Sequence, residues 1–177
     1  MPGAYAASVA EVRYREAALL QKPIEAEESD RVAASLDASR AGFLDMMVAQ
    51  ELGSRTAQGQ ARLARAIGEL QRGLRASPAD AYGWTRLAAA LVQTRAAGDE
   101  AAWALSVALQ IAPHDRKLGA LQFDLAVVLW PRLSADGREA LTRRARFIAG
   151  EPTLKAQAQA FAVTALGQSL LGHGRAP

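Results

Sequence analysis

Cysteine is absent from this 177-residue chain, which excludes disulfides, thiolate metal sites and cysteine nucleophiles and leaves the redox compartment open. Histidine occurs twice, as His114 and His173, and neither sits in an H-E-x-x-H spacing, so a zinc site has no ligand set. There is no phosphate-cradling G-x-x-x-x-G-K-[ST] loop, no G-x-S-x-G elbow and no glycine cluster following a strand. No run approaches the roughly 18 apolar residues that cross a bilayer, and the N-terminus lacks the basic-then-apolar order of a secretion signal. The chain is therefore expected to be soluble as given. Whether it is the periplasm-facing part of a membrane-anchored protein or a cytoplasmic one is left open. No catalytic residue, cofactor or metal is expected, and the acids Glu27, Glu28 and Asp30 fall in a solvated connector.

Aromatics are scarce too, at 6% against 50% hydrophobic residues overall, so the apolar content rests on alanine and leucine. Together with arginine, glutamate and glutamine these are strong helix formers, and all-α structure is expected. The net charge of +3 divides unevenly: residues 1–54 carry five basic and nine acidic side chains, and residues 55–177 carry sixteen and nine. Such asymmetry can steer an anionic partner, although a mixed solvated surface explains it more simply.

Apolar periodicity places helices over 5–21, 30–52, 56–76, 80–95, 99–111, 115–130, 135–149 and 153–171. Gly42 leaves open whether 30–52 is one helix or two. The clearest is 56–76, where Leu63, Ala66, Ile67, Leu70 and Leu74 share one face. Residues 1–28 read as an N-terminal helix and acidic connector, 29–171 as a helical domain and 172–177 as a tail. No strand is expected, since nothing alternates apolar and polar residues.

The punctuation repeats. Ala76-Ser77-Pro78-Ala79-Asp80 is echoed by Ile111-Ala112-Pro113-His114-Asp115, with prolines and aspartates each 35 residues apart. Each proline ends a helix and each aspartate can cap the next. Gly150-Glu151-Pro152 is a looser third instance.

Between the first two prolines the chain resembles a tetratricopeptide (TPR) motif. Trp84, Leu87, Ala88 and Leu91 fall on its first helix and Ala101, Leu105, Ala108 and Pro113 on its second. The preceding unit keeps Ala66, Leu70, Gly73 and Pro78. The following one keeps Leu118, Leu121, Leu125, Ala140 and Pro152, with Arg144 where an apolar residue is expected. The resemblance covers about residues 38–152. It implies antiparallel helix pairs stacked in a right-handed array, with Trp84, Leu87, Leu91, Leu105 and Leu125 buried, and a non-catalytic scaffold that holds a protein or peptide in a concave groove. Tyr82, Thr85, Ala89 and Gln93 are the expected contact positions. A second, local resemblance rests on Ala112-Pro113-His114-Asp115, Leu129-Trp130-Pro131-Arg132-Leu133 and Arg138. It is to bacterial TPR-like accessory proteins of exopolysaccharide synthesis and export, and it implies a partner in a membrane-associated assembly.

Other readings compete. Arg62, Arg65, Arg72 and Arg75 on one helix, with Arg143 and Arg144, could hold an anionic polymer, a polysaccharide or, less favoured, a nucleic acid, since the guanidinium fork suits phosphate and carboxylate. Nucleic-acid binding is not expected, because the basic helices lack interleaved aromatics. Trp84, Trp103 and Trp130 lie on apolar faces, so packing explains them better than a stacking platform. An enzyme without recognisable motifs is the remaining class. The stripe Leu154, Ala158, Phe161 and Ala165 would support a homodimer unless the helix covers it with a polar outer face.

Overall fold

A computed structural model describes residues 26–94, 98–161 and 164–173. Among them are eight α-helices: α1 (Ala26–Glu51), α2 (Ala57–Ala76), α3 (Ala81–Thr94), α4 (Gly98–Ile111), α5 (Gly119–Leu129), α6 (Ala135–Ala149), α7 (Pro152–Phe161) and α8 (Ala165–His173). A 3₁₀ turn, Trp130–Arg132, follows α5, and the described residues contain no strand. The helix expected over 5–21 lies outside the described residues. Among the described residues no helix is long and apolar enough to cross a membrane.

Two of the differences in helix boundaries, and the unbroken run through Gly42 that the sequence left open, have identifiable reasons. The acidic run of 27–30 opens α1 instead of preceding it, because the free N–H groups of a helix start favour negative charge. Gly42 does not break α1. A Cβ there would stand 2.7 Å from Leu70 Cγ and 3.0 Å from the Ala66 carbonyl oxygen, so the glycine permits close approach of α1 to α2. The single helix expected over 153–171 is two, because the Thr164 hydroxyl accepts from Gly167 N at 3.1 Å and starts a new helix.

The core follows the small-residue pattern. Ala38 and Ala49 of α1 are buried, as are Leu63, Ala66 and Leu70 of α2 and Leu87, Ala88 and Leu91 of α3. Ala101, Leu105 and Ala108 of α4 are fully enclosed, and Leu125 of α5 is 6% exposed. Each buried leucine is worth about 1.5–3 kcal/mol of transfer free energy, while the alanines let helix backbones approach. Trp84, expected in the core, is only partly buried; its indole N–H donates to the Pro78 carbonyl at 2.7 Å. Leu154 and Ala158 of α7 are buried within the chain, with Thr153, Ala156, Gln157 and Gln159 on the exposed side.

The 35-residue period appears in hydrogen bonds. Ser77 N donates to Gly73 O and Ala112 N to Ala108 O; Asp80 N donates to Ser77 O and Asp115 N to Ala112 O. Asp80 Oδ1 then accepts from Tyr82 N at 3.0 Å, and Asp115 Oδ1 from Lys117 N and Leu118 N at 2.8 and 3.0 Å. The second aspartate caps a turn that delays α5 to Gly119, four residues later than the periodicity suggests. Each helix packs on its neighbour in sequence. In addition α1 touches α3, α3 touches α5, α5 touches α7 and α8, α4 touches α6, and α6 touches α8.

Candidate interaction surface

Helix α3 is anchored on both sides by its polar residues. Ser39 Oγ of α1 donates to Asp80 Oδ2 at 3.4 Å, and Tyr82 Oη donates to Asp115 Oδ1 at 3.4 Å, beyond the next turn. Of the four contact positions expected on α3, Tyr82, Ala89 and Gln93 are partly exposed. Gln93 donates to the Ala89 carbonyl at 3.3 Å, and its own carbonyl accepts from Gln60 Nε2 at 3.4 Å.

Thr85 is a different case. It is 0% exposed, its hydroxyl donates to the Ala81 carbonyl at 2.7 Å, and it accepts from Gln122 Nε2 at 3.0 Å. It therefore pins α3 to α5 and cannot reach a partner. Helix geometry gives the reason. At about 100° per residue, Tyr82, Ala89 and Gln93 fall within about 40° of one another, and Thr85 stands about 60° from Tyr82 on the α5 side.

The position that completes the face is Arg86, whose guanidinium lies 4.7 Å from the Phe43 ring centroid of α1. Adding 35 to Tyr82, Arg86, Ala89 and Gln93 gives Lys117, Leu121, Asp124 and Val128. All four are partly or fully exposed, whereas Gln122, Phe123, Leu125 and Ala126 between them are buried. The accessible face of α3 is thus repeated on α5 and on the turn before it, where Lys117 lies, with Leu121 and Val128 left 44% and 58% exposed. Asp124 lies between these two, and burial pushes its carboxyl above the ordinary aspartate value. Among the described residues no cation lies within ion-pair distance of it. The 35-residue offset was the signal that could have located Arg86 and the α5 positions.

The arginines do not form one free stripe. Asp45 of α1 holds Arg62 Nη1 at 2.8 Å and Arg65 Nε at 3.4 Å. Arg72 pairs with Glu69, and Arg143 with Glu139 at 2.5 Å. Arg75 is exposed in the last turn of α2, where a cation suits the helix C-terminus.

Arg144 is no surface residue at all. It is 0% exposed and donates from Nη1 to the carbonyls of Pro113 at 2.8 Å and Ala112 at 3.5 Å, and from Nη2 to that of Asp115. Burial lowers its pKa, with Asp115 and Tyr82 opposing the shift. The position where an apolar residue was expected is indeed interior, but it is filled by a cation that clamps the 112–115 turn.

Trp103 reverses the expectation in the other direction. It is 57% exposed and meets Trp84 edge-on, ring centroids 5.1 Å apart, so packing accounts for only part of it. Two concavities, of about 420 and 350 Å³, both open to solvent. The first is lined by Leu52, Gln58, Ala61, Arg62 and Arg65, the second by Lys155, Gln159, Gln168, Leu171 and Gly172. Among the described residues no three acidic or histidine side chains converge as metal ligands. Comparison with protein-family models, curated proteins and solved structures gives no match to this chain.

Proposed function

We propose that the chain is a non-catalytic interaction scaffold of TPR-like helix pairs, stacked antiparallel in a right-handed array. Its partner is a protein or peptide segment held on the face shared by α3 and α5. The observation that carries this reading is the recurrence, 35 residues apart, of one accessible face on two helices that touch. Contacts between α1 and α3, α3 and α5, and α5 and α7 support a layer of first helices, and those of α4 with α6 and α6 with α8 a layer of second helices.

The face has the chemistry of a peptide site. Leu121 and Val128 offer apolar contacts, and Tyr82 presents an amphipathic ring on a fixed hydroxyl. Asp124, partly stripped of water, gains when a cation approaches. The fitting segment carries a lysine or arginine between apolar side chains. From the second resemblance comes the proposal that this segment belongs to a membrane-associated polysaccharide assembly.

Pull-down from the native organism, with Tyr82→Ala, Asp124→Lys and the double reversal Arg62→Glu/Arg65→Glu, tests the reading. The first two changes are expected to release the partner, and raised salt to weaken binding only modestly. If only the arginine reversal releases it, and binding collapses with salt, an anionic polymer is the ligand and the proposal fails.

A further inference from the structure

Arg144 stands where the other units of the repeat have leucines. Thirty-five residues before it is Leu109 of α4, and thirty-five before that Leu74 of α2, both buried. An arginine fills the position less favourably, since burial disfavours its charge and its Nε has no acceptor among the described residues. What it holds is the 112–115 turn, with the Asp115 carbonyl on Nη2 and that of Pro113 on Nη1 at 2.8 Å. This turn differs from its counterpart at 77–80. Helix α3 starts directly after Asp80, whereas Arg116, Lys117 and Leu118 precede α5. The N–H groups of Lys117 and Leu118 donate to Asp115 Oδ1 at 2.8 and 3.0 Å, and the same oxygen accepts from Tyr82 Oη at 3.4 Å. One carboxylate oxygen thus joins the Tyr82 ring on α3 to Lys117, the residue that takes the equivalent place in the next unit.

We infer that Arg144 is a positioning residue for the α3–α5 face: by fixing the 112–115 turn from the interior it aims the Asp115 carboxylate, and through it the Tyr82 ring. A leucine could fill the same space but has no donor to offer a carbonyl. The planar guanidinium reaches several carbonyls together, so it sets the orientation of the turn as well as its depth. Asp115 is held at both ends of its main chain, by its carbonyl on Arg144 and by its N–H on the Ala112 carbonyl at 3.4 Å. Phe147, three residues along α6 from Arg144, lies with its ring 5.6 Å from that guanidinium and meets the His114 ring at 5.2 Å, bracing the turn beside the clamp. A change in α6 therefore reaches the face without touching a partner. That the face binds a partner rests on the scaffold reading, whereas the path from Arg144 to Tyr82 does not.

Fluorine NMR of the full chain labelled with 3-fluorotyrosine reads the Tyr82 ring directly. The sequence has three tyrosines, and Tyr82→Phe assigns the signal. Asp115→Ala is expected to shift that resonance, Arg144→Met to shift it in the same direction, and Arg144→Lys to shift it less. Gly42→Ala, which disturbs the α1–α2 contact instead, is expected to leave it in place. Circular dichroism fixes a temperature at which every variant is folded. In the native cell, a benzophenone side chain at Val128 captures the partner, and Arg144→Met is expected to lower the adduct yield by about threefold or more. A Tyr82 resonance that Arg144→Met leaves unmoved, or that Gly42→Ala moves as far, overturns the inference. So does an adduct that survives Arg144→Met while Tyr82→Ala abolishes it. Absence of any adduct from the parent refutes the scaffold reading instead, and the fluorine resonance then decides the path from Arg144 to Tyr82 alone.

Discussion

Replacing Arg144 by methionine sets two physical arguments against each other. Exchange of a buried ion for an apolar side chain of similar length is often neutral or stabilising, because the desolvation cost of the charge disappears. Here, however, the guanidinium has no carboxylate fork facing it. It serves three backbone carbonyls; that of Ala112 also accepts from Asp115 N, whereas those of Pro113 and Asp115 have no other donor among the described residues. A hydrogen bond from a charged donor contributes about 1.5–3 kcal/mol net, and an orphaned buried acceptor costs about 1–3 kcal/mol. The turn is only partly buried, so water recovers some of this, and the relief of desolvation recovers more. Contact with Phe147, whose ring also meets His114 at 5.2 Å, is lost as well.

The balance is about 3 kcal/mol of destabilisation, or a fall in Tm of about 6–12 °C for a chain of this size. Urea unfolding followed by circular dichroism measures it. Arg144→Lys is expected to recover less than half, since one ammonium cannot span carbonyls that the planar fork reaches together. A methionine variant within about 0.5 kcal/mol of the parent would refute the clamp and favour the desolvation argument.

Gly42→Ala is expected to destabilise by about 1–3 kcal/mol, because its Cβ meets Leu70 and a backbone oxygen. Gly68→Ala, with nothing within 4 Å, should stabilise by about 0.5–1 kcal/mol; paired thermal melts check both signs. Thr85→Val should cost about 1–3 kcal/mol, because it leaves Gln122 without the one partner its buried amide has among the described residues. Adding Gln122→Leu should restore part of that in a double-mutant cycle. For Asp124 the folded pKa is raised, so the ionised carboxylate disfavours folding. Its cost is absent below the ordinary aspartate value, grows as pH rises through the raised one, and is full above it. Asp124→Asn should therefore gain stability over the parent across that window and hold the gain at neutral pH, as urea titrations at several pH values would show.

Helix positions were legible in the sequence because apolar period and punctuation agree. The Pro78–Asp80 and Pro113–Asp115 signals reappear as equivalent turns, although Asp80 stands directly before α3 while Asp115 caps a turn four residues ahead of α5. What escaped the sequence was orientation within a helix. Thr85 and Tyr82 look interchangeable as polar residues, yet the roughly 60° between them takes one into the α3–α5 contact and leaves the other at the rim. Arg144 reads as surface because arginine is rarely enclosed; only the three carbonyls brought against it by the 112–115 turn reveal the site. Trp103 reads as core because it is large and apolar, but its helix turns that position outward beside Trp84. Division of the last helix depended on one hydroxyl, Thr164, in a stretch whose apolar period runs on without interruption.

Site-specific photocrosslinking in the native cell tests the central claim most directly. A benzophenone side chain is placed in turn at Gln93 and Val128, on the repeated face, and at Arg75 and Gln157, which are exposed elsewhere. The same protein adduct is expected from Gln93 and Val128, and none of it from Arg75 or Gln157. Adducts confined to Arg75 or Gln157, with Gln93 and Val128 silent, would contradict it.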